Sequence, residues 1–189
     1  QLCSYTFTSK EVKKLFSFYM GINDYTVSPD GKKIAFSSKV YPECGENDNC
    51  NETNYSAFKD GPVHAHVSDN LFVRHWTEYE DDLYSHLFIY DVAANSIKDI
   101  TPGNFHSPIF MLGGGVGYNF STDSKSIVFA SNREKDQAST TNADLWMTDL
   151  EGKTLNNLTK VNKSWDGHPV FSPDGKYLAY RMQTVPGYE

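Results

Sequence analysis

Four acids fall within five positions, Glu78-Tyr-Glu-Asp-Asp82, just after a cationic and aromatic triplet, Arg74-His75-Trp76. Clustered carboxylates can hold an ammonium group such as the free α-amino end of a peptide. A guanidinium beside aromatic surface suits a carboxylate or a peptide backbone. Glu78, Glu80, Asp81, Asp82, Arg74, His75 and Trp76 are therefore the candidate binding residues. Each group also has a plain structural reading. Acid runs are often solvated turns between strands. Arg74 would then pair with a nearby acid, and Trp76 would pack between sheets.

Other chemistry finds little support. A nucleophile elbow needs Gly-x-Ser-x-Gly on a strand-to-helix turn, and the chain has no such string. The six histidines, His64, His66, His75, His86, His106 and His168, lie in no context that suggests a triad base. His64 and His66 share one face of an extended strand, but no third metal ligand accompanies them. Gly113-Gly-Gly-Val-Gly117 lacks the Lys-Ser/Thr of a phosphate-binding loop and reads as a connection. No catalytic residue, metal or cofactor is expected in this segment. Asp144 and Asp166 stand near strand starts, where their side chains are expected to bond turn backbone.

Cys44 and Cys50 flank a polar stretch that suits a tight turn, so a local disulfide is expected in an oxidising compartment. Cys3 is left without a partner in the segment. Five glycosylation sequons begin at Asn51, Asn54, Asn119, Asn157 and Asn162. Together they favour a secreted or lysosomal protein. The net charge of −7 offers no basic stripe for nucleic acid. No apolar run is long enough to span a bilayer, so no membrane partner is expected. The chain begins at Gln1 with no leader pattern, so any signal peptide has been removed or lies outside it.

The elements that would position these residues are strands. Aromatics make up 14% of the 189 residues, a composition that suits pleated, half-buried surfaces. One hairpin pattern recurs three times: Tyr25-Thr-Val-Ser-Pro-Asp-Gly-Lys-Lys-Ile-Ala-Phe36, Tyr118-Asn-Phe-Ser-Thr-Asp-Ser-Lys-Ser-Ile-Val-Phe129 and Pro169-Val-Phe-Ser-Pro-Asp-Gly-Lys-Tyr-Leu-Ala-Tyr180. Pro presets one turn angle, Asp bonds the local backbone, and Gly takes the positive-φ position. A second pattern follows. His86-Leu-Phe-Ile-Tyr-Asp-Val92 matches Asp144-Leu-Trp-Met-Thr-Asp-Leu150, and each leads to a strand ending in Thr, Ile97–Thr101 and Leu155–Thr159. Both pairs are offset by 58 residues. Four strands per unit at this spacing describe a propeller blade.

The expected fold is all-β, a partial β-propeller with about two complete four-stranded blades. Residues 1–20 read as the tail of one blade and 22–101 as a blade interrupted by an insertion over 38–85. Residues 117–159 read as another blade and 168–189 as half of one more. A propeller closes with four to eight blades, so neighbouring sequence or another chain is expected to cover the open faces.

More specific strings are Val40-Tyr-Pro-Glu-Cys44, Leu71-Phe-Val-Arg-His-Trp76, Ser85-His-Leu-Phe88, Asp99-Ile-Thr-Pro102, Ser139-Thr-Thr-Asn-Ala-Asp-Leu145, Ser164-Trp-Asp-Gly-His-Pro-Val-Phe-Ser-Pro-Asp-Gly175 and Val185-Pro-Gly-Tyr-Glu189. In this order they resemble propellers of the dipeptidyl-peptidase V and acylaminoacyl-peptidase-like branch of the prolyl oligopeptidase family of serine peptidases. The resemblance runs from about Tyr25 to Glu189. It implies a non-catalytic, substrate-gating propeller over an α/β-hydrolase domain that carries a Ser-Asp-His triad and is absent from this segment. The partners it implies are that domain and a peptide substrate. Carboxylates in the insertion would hold the substrate's free amino end and limit cleavage to dipeptides. The alternative is a stand-alone TolB-like propeller that binds protein partners.

Overall fold

Each of the three look-alike turns is closed by one hydrogen-bond pattern. In the first, Ser28 Oγ donates to Asp30 Oδ1 at 2.7 Å, the Lys32 N–H donates to the same oxygen at 3.1 Å, and the Lys33 N–H donates to Ser28 Oγ at 3.0 Å. Ser121, Asp123 and Lys125 repeat it, as do Ser172, Asp174 and Lys176. The serine hydroxyl, followed by the lysine N–H, holds all three aspartates below the usual carboxylate range, because both bonds favour the charged form. Ser124, at φ 60°, takes the left-handed position that Gly31 and Gly175 fill in the other turns. The middle copy therefore folds like its neighbours despite its altered sequence.

The computed structural model describes residues 1–63, 65–68, 71, 74–75, 77–110 and 116–187. A two-stranded hairpin, β1 (Leu2–Thr6) with β2 (Glu11–Phe16), comes first. The next sheet has the order β3 (Asp24–Val27), β4 (Lys33–Val40), β7 (Tyr84–Asp91), β8 (Ser96–Asp99), all antiparallel. Between β4 and β7 lie helix α1 (Asp48–Asp60) and a small hairpin, β5 (Arg74–His75) with β6 (Glu78–Tyr79). A second four-stranded antiparallel sheet runs β9 (Tyr118–Phe120), β10 (Ser126–Ser131), β11 (Asp144–Asp149), β12 (Asn156–Asn157). The last hairpin pairs β13 (Asp166–Phe171) with β14 (Leu178–Met182).

These sheets stack face to face. Side chains alternate across a strand, so a sheet covered on both sides is apolar at successive positions. On β4, Ala35 joins Leu87 and Ile89 in a core with Tyr118, Phe120, Ile127 and Phe129 of the second sheet. Ile34 and Phe36 turn the other way, with Phe88 and Tyr90, onto Leu2, Phe16 and Phe18. Val128, Ala130 and Leu145 in turn meet Phe171 and Leu178 of the last hairpin. The architecture is thus all-β and propeller-like. The 58-residue repeat is physical as well as textual: Thr101 Oγ1 accepts from the Leu87 N–H at 2.8 Å, and Thr159 Oγ1 from the Leu145 N–H at 3.0 Å.

Several expectations are corrected. Pairing of β4 with β7 continues to Val40 and Tyr84, so the excursion covers 41–83 rather than 38–85. Ser38, the first residue of the expected insertion, is buried in the sheet beside Ser37. The stretch after Cys44 is not a simple tight turn. Asn47 caps α1 by accepting the Cys50 N–H at 3.1 Å, with Asp48 in the first turn and Lys59 in the last. The Cys44–Cys50 disulfide is formed, with the Cα atoms 5.4 Å apart. Asn51, expected as a glycosylation site, is fully buried. Its Nδ2 donates to Gly45 O and Asn47 O at 2.9 and 3.1 Å, and its Oδ1 accepts the Tyr41 N–H at 3.1 Å. A glycan there would replace one of those donor hydrogens and would need room that the buried side chain lacks.

Candidate functional site

The excursion between β4 and β7 is pinned at three points. The disulfide ties its start to α1. Asp48 Oδ1 accepts the Tyr19 N–H at 2.9 Å, which holds the helix entry to the chain after β2. A tight turn then returns the chain to β7, closed by the Leu83 N–H on Glu80 O at 2.8 Å. Asp81 and Asp82, the central residues of that turn, both have positive φ, 47° and 58°. Two consecutive left-handed residues define a type I′ turn, and aspartate tolerates this conformation better than most side chains.

A cavity of about 540 Å³ opens between α1, this turn and the loop after β8. Tyr41, Phe58 and Tyr84 supply its aromatic surface, while Glu43, Asp81 and Asp82 supply carboxylates. Burial pushes the Tyr41 phenol up, and the charges of Asp81 and Glu43 add to this. Burial likewise raises Tyr84, helped by Asp82 and Glu80. Both phenols stay protonated near neutral pH in a negative field. The cavity thus offers anionic acceptors beside apolar rings, an arrangement suited to an ammonium group attached to a hydrophobic body.

The four acids have separate surroundings. Asp81 Oδ1 meets His66 Nδ1 at 2.5 Å, and the His66 ring stacks on Tyr79 with centroids 3.6 Å apart. Glu80 does not line the cavity. Its Oε2 accepts from Lys39 Nζ at 3.0 Å and lies 3.7 Å from His106 Nε2. Glu78 is exposed on β6, opposite His75 of β5. Asp82 is exposed at the cavity wall. Arg74 is exposed on β5 opposite Tyr79, and no described carboxylate lies within ion-pair distance of it. His75 is placed by its backbone alone. Trp76, His64 and Gly113–Gly115 lie outside the described residues. Tyr41, Phe58 and Tyr84 were not singled out from the sequence, because the pairing of β4 with β7 and the packing of α1 bring them together.

The other sequons also have defined geometry. Asn54 Nδ2 donates to Glu43 Oε1 at 3.0 Å, Asn157 Nδ2 to Asp144 Oδ2 at 2.6 Å, and Asn162 Nδ2 to Asp166 Oδ1 at 2.8 Å. Asn119 is half-buried on β9. Among the described residues, no group of three or more His, Cys, Asp and Glu side chains is arranged to hold a metal.

No family model matches the chain. A TolB protein of Agrobacterium tumefaciens superposes with a TM-score of 0.52 at 16% identity, covering 97% of this chain and 50% of that one. That likeness supports the propeller fold. Over 176 residues, 89% of its length, the chain is 29% identical to dipeptidyl-peptidase 5 of Porphyromonas endodontalis. Over 156 residues it is 28% identical to dipeptidyl-peptidase 5 of Arthroderma benhamiae. The chain is similar to dipeptidyl-peptidase 5 proteins over most of its length. It spans 24% and 22% of the lengths of these two relatives. The dipeptidyl-peptidase 5 likeness covers the blades as well as the excursion that holds the cavity.

Proposed function

We propose that this chain is the substrate-selecting propeller portion of a secreted serine peptidase of the dipeptidyl-peptidase 5 type. In this reading the catalytic Ser-Asp-His triad belongs to a hydrolase domain elsewhere in the same protein. The chain's own part is to admit peptides and to hold their free amino end. The observation that carries the reading is the cavity under α1, where Asp81 and Asp82 stand beside Tyr41 and Tyr84. A protonated α-amino group would meet carboxylates there, and the first side chain would meet rings. The disulfide supports an oxidising compartment.

Among the original candidates, Asp81 and Asp82 carry this role. Glu80 anchors Lys39, and Glu78 and Arg74 stand outside the cavity. The test uses the full-length enzyme with dipeptide-releasing substrates. Asp81→Asn with Asp82→Asn keeps residues that accept the turn's positive φ while removing the charge. The double variant should lower kcat/KM about 10–100-fold on free-amino peptides, the scale of a lost charged hydrogen bond. Peptides with acetylated amino ends should be affected far less. Equal losses on both substrates, or no loss on either, would remove the cavity from substrate recognition.

A further inference from the structure

Two buried aspartates stand side by side where the second four-stranded sheet meets β13. Ala143 and Trp165 form a parallel bridge, and the Asp166 N–H donates to Ala143 O at 2.7 Å. The next residue on each segment is an aspartate, Asp144 on one and Asp166 on the other. Asn142, two residues before Asp144, shares its face by the period of extended chain. Asp166 is fully buried, Asn142 is 4% exposed and Asp144 7%.

Each carboxylate is half used. Asn157 occupies Asp144 Oδ2 and Asn162 occupies Asp166 Oδ1. Neither aspartate bonds turn backbone, contrary to the expectation from sequence. Asp144 Oδ1 and Asp166 Oδ2 are buried with no hydrogen-bond donor, and so is Asn142 Oδ1. The Asn142 amide nitrogen is committed to Glu134 Oε1 at 3.2 Å, which fixes its oxygen as the open atom. Buried acceptors left open beside repelling charges call for a ligand.

We infer that Asp144, Asp166 and Asn142 form a binding site for one hard divalent cation of the calcium class, held between the second sheet and the last hairpin. The open atoms are all oxygens, the donor type calcium takes, and calcium accepts six to eight of them with water filling the rest. Magnesium demands tighter octahedral geometry and gives up water reluctantly. A bridging water would satisfy lone pairs but bring no positive charge between the two carboxylates. Asn157 and Asn162 act as positioning residues that turn one oxygen of each carboxylate toward the ion. This inference needs no substrate and stands apart from the peptidase reading.

The test is ion binding by the full-length protein after treatment with chelator. Terbium(III), the probe, should luminesce on tryptophan excitation and be displaced by calcium. Calcium at a hundredfold excess over Kd should raise the Tm of the propeller transition by about 5–10 °C. Both responses should vanish in Asp144→Asn and in Asp166→Asn and persist in Asp174→Asn, which alters an exposed turn. If the aspartate variants fold poorly, Asn142→Ala, which removes a ligand but no charge, should weaken calcium binding by about tenfold. Absence of both responses in the unaltered protein would overturn the site. So would their survival in both Asp144→Asn and Asp166→Asn, unchanged affinity in Asn142→Ala, or an equal response to magnesium.

Discussion

The fold holds the Asp91 carboxyl well below the usual carboxylate range. Lys33 Nζ lies 2.6 Å from Asp91 Oδ2, and the Ala93 and Ala94 N–H groups donate to Asp91 Oδ1. The Lys33 hydrogen bond is the largest cause, and together these contacts bring the carboxyl from 3.8 to about 2. A depressed folded value stabilises the fold above the unfolded value of 3.8, and the contribution is lost as pH falls through about 2. Lys33→Met should therefore move the Asp91 titration, followed by NMR, up toward 3.8. The acid-unfolding midpoint should move to higher pH, and the variant and parent should converge below pH 2. An unmoved titration would show that the turn amides, and not Lys33, set the value. At the same scale, the acids of the insertion separate by their partners: Asp81 and Asp82 face the cavity, while Glu80 holds Lys39.

Where the two four-stranded sheets meet, one turn leaves no spare room. The turn between β11 and β12 places Gly152 at φ 70°, and a Cβ there would lie 2.9 Å from Ile100 O and 3.1 Å from Ile100 Cα. The obstacle is backbone of the neighbouring sheet's last connection, which cannot swing aside as a side chain would. Gly152→Ala combines positive-φ strain with that clash and should destabilise the chain by about 1–3 kcal/mol in chemical denaturation. A change under about 0.5 kcal/mol would mean that the two sheets slide freely past each other. Helix α1 shows the opposite economy. Its sequence is mostly polar, and it is held by a cap, a disulfide and the buried Asn51 rather than by a buried apolar stripe.

For the molecule as a whole, the stack of sheets ends in apolar surface. Tyr177 is 73% exposed, Val170 56% and Met182 49% on the last hairpin, and Val12 is 70% exposed on the first. The central strands of the interior sheets bury such positions on both faces. Strand edges and uncovered faces of this kind drive association. The 189-residue chain expressed by itself should therefore sediment as concentration-dependent oligomers. Val170→Lys should shift the distribution toward monomer. A sharply melting monomer at all concentrations would show that these faces need no cover.

The strands, the three serine-aspartate turns and the 58-residue repeat were legible because each rests on local chemistry. Alternating side chains, a hydroxyl two residues before a carboxylate, and a threonine at a strand end act within a few residues of themselves. Cys44 and Cys50 were legible for the same reason. Helix α1 was not, since its caps are ordinary polar residues and it lacks the apolar period that announces a helix. The full extent of β4 was not legible, because Ser38 and Lys39 are polar in type yet pair with β7. What the sequence determined by itself was the repeating sheet and the presence of clustered acids. Which acids face a cavity, which asparagines are buried, and which aspartates stand together across a sheet boundary were decided only by tertiary packing. Those relations join residues distant along the chain, and no local preference encodes them.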